Sequence, residues 1–424
     1  MMNCSPVRLA AMFTTVLSLA MAEGRAAELT GVDSLRAAIR DLEAAFPDRY
    51  PREPGFLARL DSLVKRAQQA QGEELRRVQS DLEALRREAL VANPLVSARP
   101  ILFVTRKQYR PDHHNTETMF QTGEINTQSF EGGGALKTLQ FGPDGKETVK
   151  TILSVPQGIV RDPDVHFDGK KILVALRHNR EDDYHVYEIN TDGTGLVQRT
   201  FGSRITDVDP IYLPTGEIVF TSTRQPKYCM CNRHIMGNLF KIDADGSHLQ
   251  QLGRNTLHEG HGSLLPDGRV LYDRWEYVDR NFGNAQGVWT VFPDGTQPAV
   301  WYGNSSNSPG GVLDARAIPG SEAIIATFSS CHDRPWGALA IVDRRRGVDG
   351  REPVVRTWPP SAIDLVDRGN YDIFTQVQPK YEDPYPLSDK YFLCSRMIGR
   401  GEEMGLVLLD VFGNEIVLHA EAPG

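Results

Sequence analysis

The sequence of 424 residues lacks several patterns that would assign a function directly. It contains no C-x-x-C-H, so a c-type haem is not expected within this chain. It has no G-x-S-x-G and no Walker loop, which are signatures of common hydrolases and nucleotide-binding proteins. It has no basic excess either, because the formal net charge is −8, and a nucleic-acid partner is therefore not expected.

Long apolar runs are also absent, with one short exception at the start. Arg8 precedes an apolar run over residues 9–19, which is followed by the small-residue site Ala20-Met21-Ala22. This pattern predicts that residues 1–22 are a secretory signal peptide. The run is too short to span a membrane, so we predict no membrane span and a periplasmic or secreted protein.

Cysteine is scarce as well. One of the five cysteines, Cys4, lies in the predicted signal peptide. The other four are Cys229, Cys231, Cys331 and Cys394. Four cysteines are too few for a disulfide scaffold in a chain of this length, so a buried apolar core must hold the fold.

The sequence is rich in a repeated pattern of short strands. Residues 160–200 combine an Asp-Pro step, an Asp-Gly turn, the apolar run ILVAL, the run HVYEIN and the turn TDGTG. This indicates four antiparallel strands in roughly forty residues, the size of one propeller blade. The repeats place blades at 98–155, 160–203, 205–254, 256–305, 308–359 and 381–420.

The predicted fold is therefore an all-β, six-bladed β-propeller over residues 98–424. Its first blade lacks the innermost strand, which the C-terminus would have to supply. Because no further strand follows residue 420, we expect the native chain to continue beyond Gly424.

Residues 29–93 have a helical period instead. Leu35, Ile39, Leu42 and Phe46 form one apolar stripe, and two further stripes follow. We predict an N-terminal helical hairpin or three-helix unit packed on the propeller. A coiled-coil partner interface is the alternative, although the stripes are short for one.

Each repeat has a polar residue at the start of its innermost strand. These ring residues are Asp162, Asp209, His261, Asp314 and Asp383. The second strands end in arginines such as Arg177 and Arg224, and antiparallel pairing places both sets at one mouth. We predict a ring of Asp–Arg pairs, with a ligand-binding acidic ring as the alternative. His261 departs from the pattern and is therefore a candidate functional residue.

The connections between second and third strands open on the same mouth and are long. They carry most of the histidines and three of the four mature cysteines. Long loops at one end of a rigid scaffold are the expected place for a functional site. The candidate metal ligands are Asp112, His113, His114, Cys229, Cys231, His234 and His261.

The sharpest of these clusters is the sequence CMCNRH at residues 229–234. Two thiols and an imidazole in six residues suit zinc or copper, and a disulfide or packed thiols are the alternative. We predict that this cluster converges with His113 or His114 across the mouth, the alternative for these being a polar loop with one hydrogen-bonded histidine. Cys331 and His332 form a candidate cofactor site, one cysteine short of the haem pattern.

Several stretches resemble the family of the hydrazine synthase alpha subunit and its propeller-bearing relatives in planctomycete-type bacteria. They are ILFVTRKQYRPDHHNTETMFQTGEINT, YCMCNRH, EGHGSLLPDGRVLYDRWEYVDRNFG, SSCHDRPWGALAIVDRR and YEDPYPLSDKYFLCSRM. The blades themselves resemble TolB-type repeats. The family's characterised member is a multihaem enzyme that joins nitric oxide and ammonia. There, haem domains follow the propeller, and a zinc ion lies near the active haem.

The resemblance implies a metal-binding mouth, carried onto Asp112, His113, Cys229, Cys231 and His234, and a haem-bearing domain or subunit as partner. Because C-x-x-C-H is absent, hydrazine synthesis itself is not implied.

The sequence favours an exported propeller whose mouth holds a metal or cofactor for redox or hydrolytic chemistry. An enzyme of this kind would be a metal-dependent, oxidoreductase-like periplasmic subunit. The alternatives are a non-catalytic TolB-like binding or assembly module and a haem-bearing electron-transfer subunit, and no oligomeric state is predicted.

Overall fold

The computed structural model shows a mostly β protein with few helices. It describes residues 29–51, 55–110, 113–116, 130–230, 235–399 and 401–421. The predicted signal peptide lies outside the described residues, as do the candidate ligands Asp112, Cys231 and His234.

The helices precede the strands. They are α1 (Val32–Ala45), α2 (Phe56–Gln69), α3 (Gly72–Val91) and the short α4 (Pro94–Ser97). Each of the three longer helices buries one apolar stripe, with Leu35, Leu60 and Leu82 fully buried. None of the helices in the described ranges combines the length and apolar character that crossing a bilayer requires.

The strands form successive antiparallel sheets in chain order. The first sheet has β1 (Ile101–Arg106), β2 (Gly134–Phe141) and β3 (Glu147–Val155). The second has β4 (Ile159–Val165), β5 (Lys171–Arg177), β6 (His185–Asn190) and β7 (Val197–Gln198). The third has β8 (Asp207–Tyr212), β9 (Ile218–Ser222), β10 (Asn238–Ile242) and β11 (Gln250–Gln251).

The remaining strands continue the same order. The fourth sheet has β12 (Glu259–Leu264), β13 (Val270–Trp275), β14 (Gln286–Val291) and β15 (Ala299–Tyr302). Next come β16 (Gly311–Ala317), β17 (Ile324–Ser329), β18 (Gly337–Val342) and β19 (Val354–Trp358). Last are β20 (Tyr381–Pro386), β21 (Tyr391–Met397), β22 (Met404–Asp410) and β23 (Glu415–His419). The last two groups join into one sheet through the pair Gly337 and Tyr381.

The first strands of successive groups, β4, β8, β12, β16 and β20, pack against one another and are called the inner strands. Each contains a bulge next to its ring residue. The ring residues have left-handed backbones, with φ between 47° and 52°. This turns the backbone N–H of Asp209 onto Asp162 Oδ2 at 3.1 Å, and that of His261 onto Asp209 Oδ2 at 3.1 Å. Asp162, Asp209 and His261 are therefore joined in succession by bonds from a backbone N–H to a carboxylate.

The predicted pairing of Asp162 and Asp209 with second-strand arginines is wrong. The arginine beside both carboxylates is Arg161, on the inner strand itself. The second-strand Arg224 instead pairs with Asp207 at 2.8 Å, two residues before the ring position. The bulge is the physical reason, because it rotates the ring residue away from the neighbouring strand.

The last sheet lies directly beside the first. Lys137 Nζ of β2 is 2.7 Å from Glu421 Oε1, and the rings of Phe103 and His419 are in edge contact. The guanidinium of Arg87 on α3 donates to the carbonyls of Val417 and Leu418 on β23. Arg87 Nη2 also lies 3.6 Å from Glu147 Oε2 on β3, so α3 links the last sheet to the first.

Helix α1 is attached to the last sheet as well. Asn414 Nδ2 donates to the carbonyl of Ser34 at 2.9 Å, and the Tyr391 hydroxyl donates to Asp41 Oδ2 at 3.0 Å. The apolar faces of α1–α3 share one buried cluster with residues of β2 and β21–β23. The helices thus complete the core between the first and last sheets.

Candidate metal site at the mouth

Three imidazoles from two distant connections meet at one point. His113 and His114 lie between β1 and β2, whereas His332 lies between β17 and β18. Ring centroids are 4.3 Å apart for the first two, and 4.9 and 4.8 Å from these to His332. One nitrogen of each ring lies within 4.8 Å of the others, which is close enough for a shared metal ion.

His114 is the buried member of the group, with no exposed surface. Its Nδ1 lies 3.5 Å from Cys331 Sγ, and its Nε2 has no hydrogen-bond partner among the described residues. Burial, followed by the nearby imidazoles of His113 and His332, lowers its pKa to about 3. His114 is therefore neutral at physiological pH, which is the form that binds metals.

His332 is oriented by a carboxylate. Its Nδ1 lies 2.8 Å from Asp372 Oδ2, and its backbone N–H donates to Asp372 Oδ1 at 2.9 Å. If Nδ1 carries the proton that this contact requires, Nε2 keeps its lone pair. A carboxylate behind a histidine is the usual second layer of a metal site, because it fixes the tautomer and the ring.

Asn115 anchors the connection between β1 and β2, called here the first connection, to residues that follow β17. Its backbone N–H donates to the carbonyl of Cys331 at 2.9 Å, and its Nδ2 reaches the carbonyl of Ser330 at 3.0 Å and Gln286 Oε1 at 3.1 Å. A Cβ on Gly311 would lie 2.6 Å from this Nδ2, so only glycine leaves room for the anchor. The positions of His113 and His114 are therefore fixed by the fold.

Aromatic side chains surround the buried side of the three imidazoles. The ring of His114 is 4.9 Å from that of Trp275, and the ring of His332 is 5.7 Å from those of Phe282 and Tyr371. The Trp275 indole N–H donates to the carbonyl of Phe282 at 2.8 Å, which holds both in place. This wall excludes water from one side and strengthens electrostatic interactions at the site.

The structure brings together only some of the residues that the sequence pointed to. Cys229 is buried in one apolar cluster with Cys331 and Trp275, so the connection carrying it reaches the histidines. Met230, beside it, is exposed. His261 is not part of this group, because it lies on β12 against Asp273.

The sequence pattern made Cys331 and His332 candidates for a cofactor site. In the structure these two residues lie beside His113 and His114. Asp372 was not recognised from the sequence. It lies in the connection between β19 and β20, outside the loops where ligands were expected, and no motif marks it.

The antiparallel sheets, packed through their inner strands, define the fold class as mostly β. The structure of Kuenenia stuttgartiensis hydrazine synthase is similar, with a TM-score of 0.57 and 19% identity. The match covers 76% of this chain and 45% of that chain, and at this identity it shows the fold alone. TolB from Acinetobacter baumannii also matches, with a TM-score of 0.36, 16% identity, and coverage of 50% and 46%. No protein-family model and no curated protein matches the chain.

Proposed function

We propose that this chain is an exported, six-bladed propeller protein whose mouth binds one zinc- or copper-type ion for redox or hydrolytic chemistry. The ligands in the described residues are His113, His114 and His332. The observation that carries the proposal is the buried Nε2 of His114, which has no hydrogen-bond partner in the described chain and lies beside two further imidazoles. A buried polar atom without a partner is costly, and a metal ion would remove that cost.

The fold and the predicted signal support the rest of the proposal. The structural likeness to hydrazine synthase supports a propeller, and the order of the sheets supports six blades. The signal pattern at residues 1–22 supports export. A haem-bearing domain or subunit as partner fits the same likeness, because this chain spans less than half of that protein.

Held by three imidazoles, such an ion would supply Lewis-acid chemistry to a bound water or substrate. The chain's own residues divide the remaining tasks. Asp372 orients His332, Asn115 fixes the first connection, and the aromatic wall excludes water from the buried side. His113 is exposed, so the open side of the site faces solvent.

The direct test is elemental analysis of the purified protein. We expect about one zinc or copper ion per chain at this site, and His332→Ala should remove about one equivalent. His248→Ala is the matched control, because this exposed histidine pairs with Asp243 on a distant hairpin turn. A Cys229→Ser, Cys231→Ser variant measures whether the CMCNRH loop adds ligands. Equal metal content in wild type and His332→Ala, or none in either, would favour a non-catalytic binding or assembly module.

Asp372 provides a second prediction at this site. Asp372→Asn keeps the size of the side chain but removes the charge that orients His332. We expect metal affinity to fall about 10- to 100-fold, the usual effect of losing a carboxylate behind a ligating histidine. Competition with a chelator of known affinity measures this. Asp333→Asn is the control, since the carboxylate of Asp333 accepts from Trp336 Nε1 at 2.9 Å and Lys380 Nζ at 3.1 Å. An equal fall in both variants would contradict a specific role for Asp372.

A further inference from the structure

A second group of metal-binding side chains lies apart from the mouth site. His258, His261 and Asp273 are all buried, and one donor atom of each lies within 4.8 Å of the others. His261 is the ring residue that departs from the aspartates of the other inner strands. The mouth site makes no use of this group.

The bulge of β12 builds the group. Gly260 pairs with Asp273 on β13, and the register shifts between Gly260 and Ser263. Residues three apart in a regular strand point to opposite faces. The bulge and the left-handed backbone of His261, with φ of 47°, cancel that alternation and bring both histidines to the same carboxylate.

The two carboxylate oxygens of Asp273 differ in their hydrogen bonding. Its Oδ1 lies 2.5 Å from His261 Nδ1. Its Oδ2 is buried and accepts no hydrogen bond of good geometry from the described residues, although the Gln286 side chain is a neighbour of the carboxylate. His258 Nε2 is 3.6 Å from Oδ2, which is too long for a hydrogen bond. Two ligands about 2.0–2.2 Å from one ion are separated by roughly 3–3.6 Å, so this spacing suits a shared cation.

Space and charge around the group also fit a cation. A Cβ on Gly260 would lie 2.5 Å from His258 Nε2 and 3.4 Å from Asp209 Oδ2, so only glycine at this position leaves room for the imidazole. Asp314 Oδ1 is 3.7 Å from His261 Nε2. Two more carboxylates therefore border the group on the side of the inner strands.

A second buried His–Asp pair, His185 with Asp207 in the preceding sheets, has no carboxylate oxygen without a hydrogen bond. His185 Nδ1 lies 3.1 Å from Asp207 Oδ2, but Asp207 also accepts bonds from Ser222 Oγ at 2.6 Å and Arg224 Nη2 at 2.8 Å. Both oxygens of Asp207 are occupied, and an arginine supplies the positive charge. Both oxygens of Asp207 therefore accept bonds from protein groups, whereas Asp273 Oδ2 accepts none of good geometry from the described residues.

We propose that His258, His261 and Asp273 bind one divalent first-row transition metal, separate from the ion at the mouth. Two imidazoles and one carboxylate are a donor set for iron, manganese or zinc. The ion takes the place of the proton that His261 shares with Asp273, and binding releases that proton to solvent. Binding also places the positive charge of the ion beside Asp273 Oδ2, which accepts no hydrogen bond of good geometry from the described residues.

The test uses the full chain with the mouth site removed by His113→Ala and His332→Ala, called here the mouth double variant. The probe is Mn(II), which thiolates bind poorly, and unbound Mn(II) is counted by electron paramagnetic resonance. We expect the mouth double variant to bind about one Mn(II) per chain. Adding His258→Gln should abolish binding, whereas adding His185→Gln, the matched buried histidine, should leave it unchanged.

Two results would overturn the inference: no Mn(II) bound by the mouth double variant, or equal binding with and without His258→Gln. Thermal unfolding keeps the test decisive if His258→Gln does not fold. The ion binds only the folded state, so Mn(II) should raise the unfolding temperature of the mouth double variant. An unchanged unfolding temperature at saturating Mn(II) would also reject the site. These outcomes are independent of the mouth site, whose ligands are already absent.

Discussion

Replacing Arg161 by methionine should lower the free energy of unfolding by about 3–5 kcal/mol. The guanidinium is buried, with Nε 2.6 Å from Asp162 Oδ2 and Nη2 3.6 Å from Asp209 Oδ1. Burial alone would raise the pKa of Asp162, but the charge of Arg161 outweighs it and holds that pKa below its usual value. Without the arginine, two carboxylates in contact with the same cation are left uncompensated. Urea unfolding at pH 7 measures the loss.

Two further variants show whether the loss comes from the charge. Adding Asp162→Asn to Arg161→Met removes one of the stranded carboxylates, and asparagine tolerates the left-handed backbone of that position. We expect this double variant to be more stable than Arg161→Met alone. Asp209→Asn by itself should cost less than Arg161→Met, because burial and Asp162 already raise the pKa of Asp209 to about 6. A loss below about 1 kcal/mol for Arg161→Met would show that the pair contributes little to stability.

Glu382 should make the protein less stable as the pH rises from 5 to 8. Burial, followed by the charge of Asp383, raises the pKa of Glu382 to about 8, from an ordinary value of 4.5. Asp314 acts in the same direction, whereas Arg106 and Arg334 oppose it. The folded chain therefore keeps a proton that the unfolded chain has released. The resulting stability is complete below pH 4.5 and is lost as the pH rises through 8.

Glu382→Gln removes this dependence. As the pH rises from 5 to 8, the unfolding free energy of the variant minus that of wild type should increase by on the order of 2–4 kcal/mol. Urea unfolding with chelator present measures both free energies. Glu188→Gln is the control. Burial favours protonation of Glu188, but bonds from Arg199, Tyr212 and Lys171 outweigh it and lower its pKa, so it stays ionised across this range. Parallel pH profiles for wild type and Glu382→Gln would reject the shift.

Much of the β architecture could be predicted from local pattern. Asp-Gly turns and apolar runs fix where strands begin and end, because a turn needs a residue with positive φ, as at Gly268. Because neighbouring strands are antiparallel, all the connections between second and third strands lie at the mouth. This order is sufficient to predict that His113 or His114 lies near side chains of another loop.

The partner of these histidines could not be predicted in the same way. His332 completes the group in the described chain, because Asn115 ties the first connection to residues that follow β17. Such a contact spans more than 200 residues and depends on the shapes of two irregular loops, which local periodicity does not specify. The pairing of ring aspartates was missed for a similar reason, since a bulge that inserts one residue cannot be read from alternation alone.

The attachment of the helices to the last strands has a consequence for how the chain acquires its structure. Arg87 bonds to carbonyls 330 and 331 residues later, and the apolar faces of α1–α3 are covered in part by β21–β23. The helices are synthesised before these strands, so burial of their apolar faces depends on contacts of very long sequence separation. Until those contacts form, the growing chain carries exposed apolar surface that can associate with other copies. Burial of the helix faces thus waits for β21–β23, and a chain interrupted shortly before these strands is exposed to aggregation.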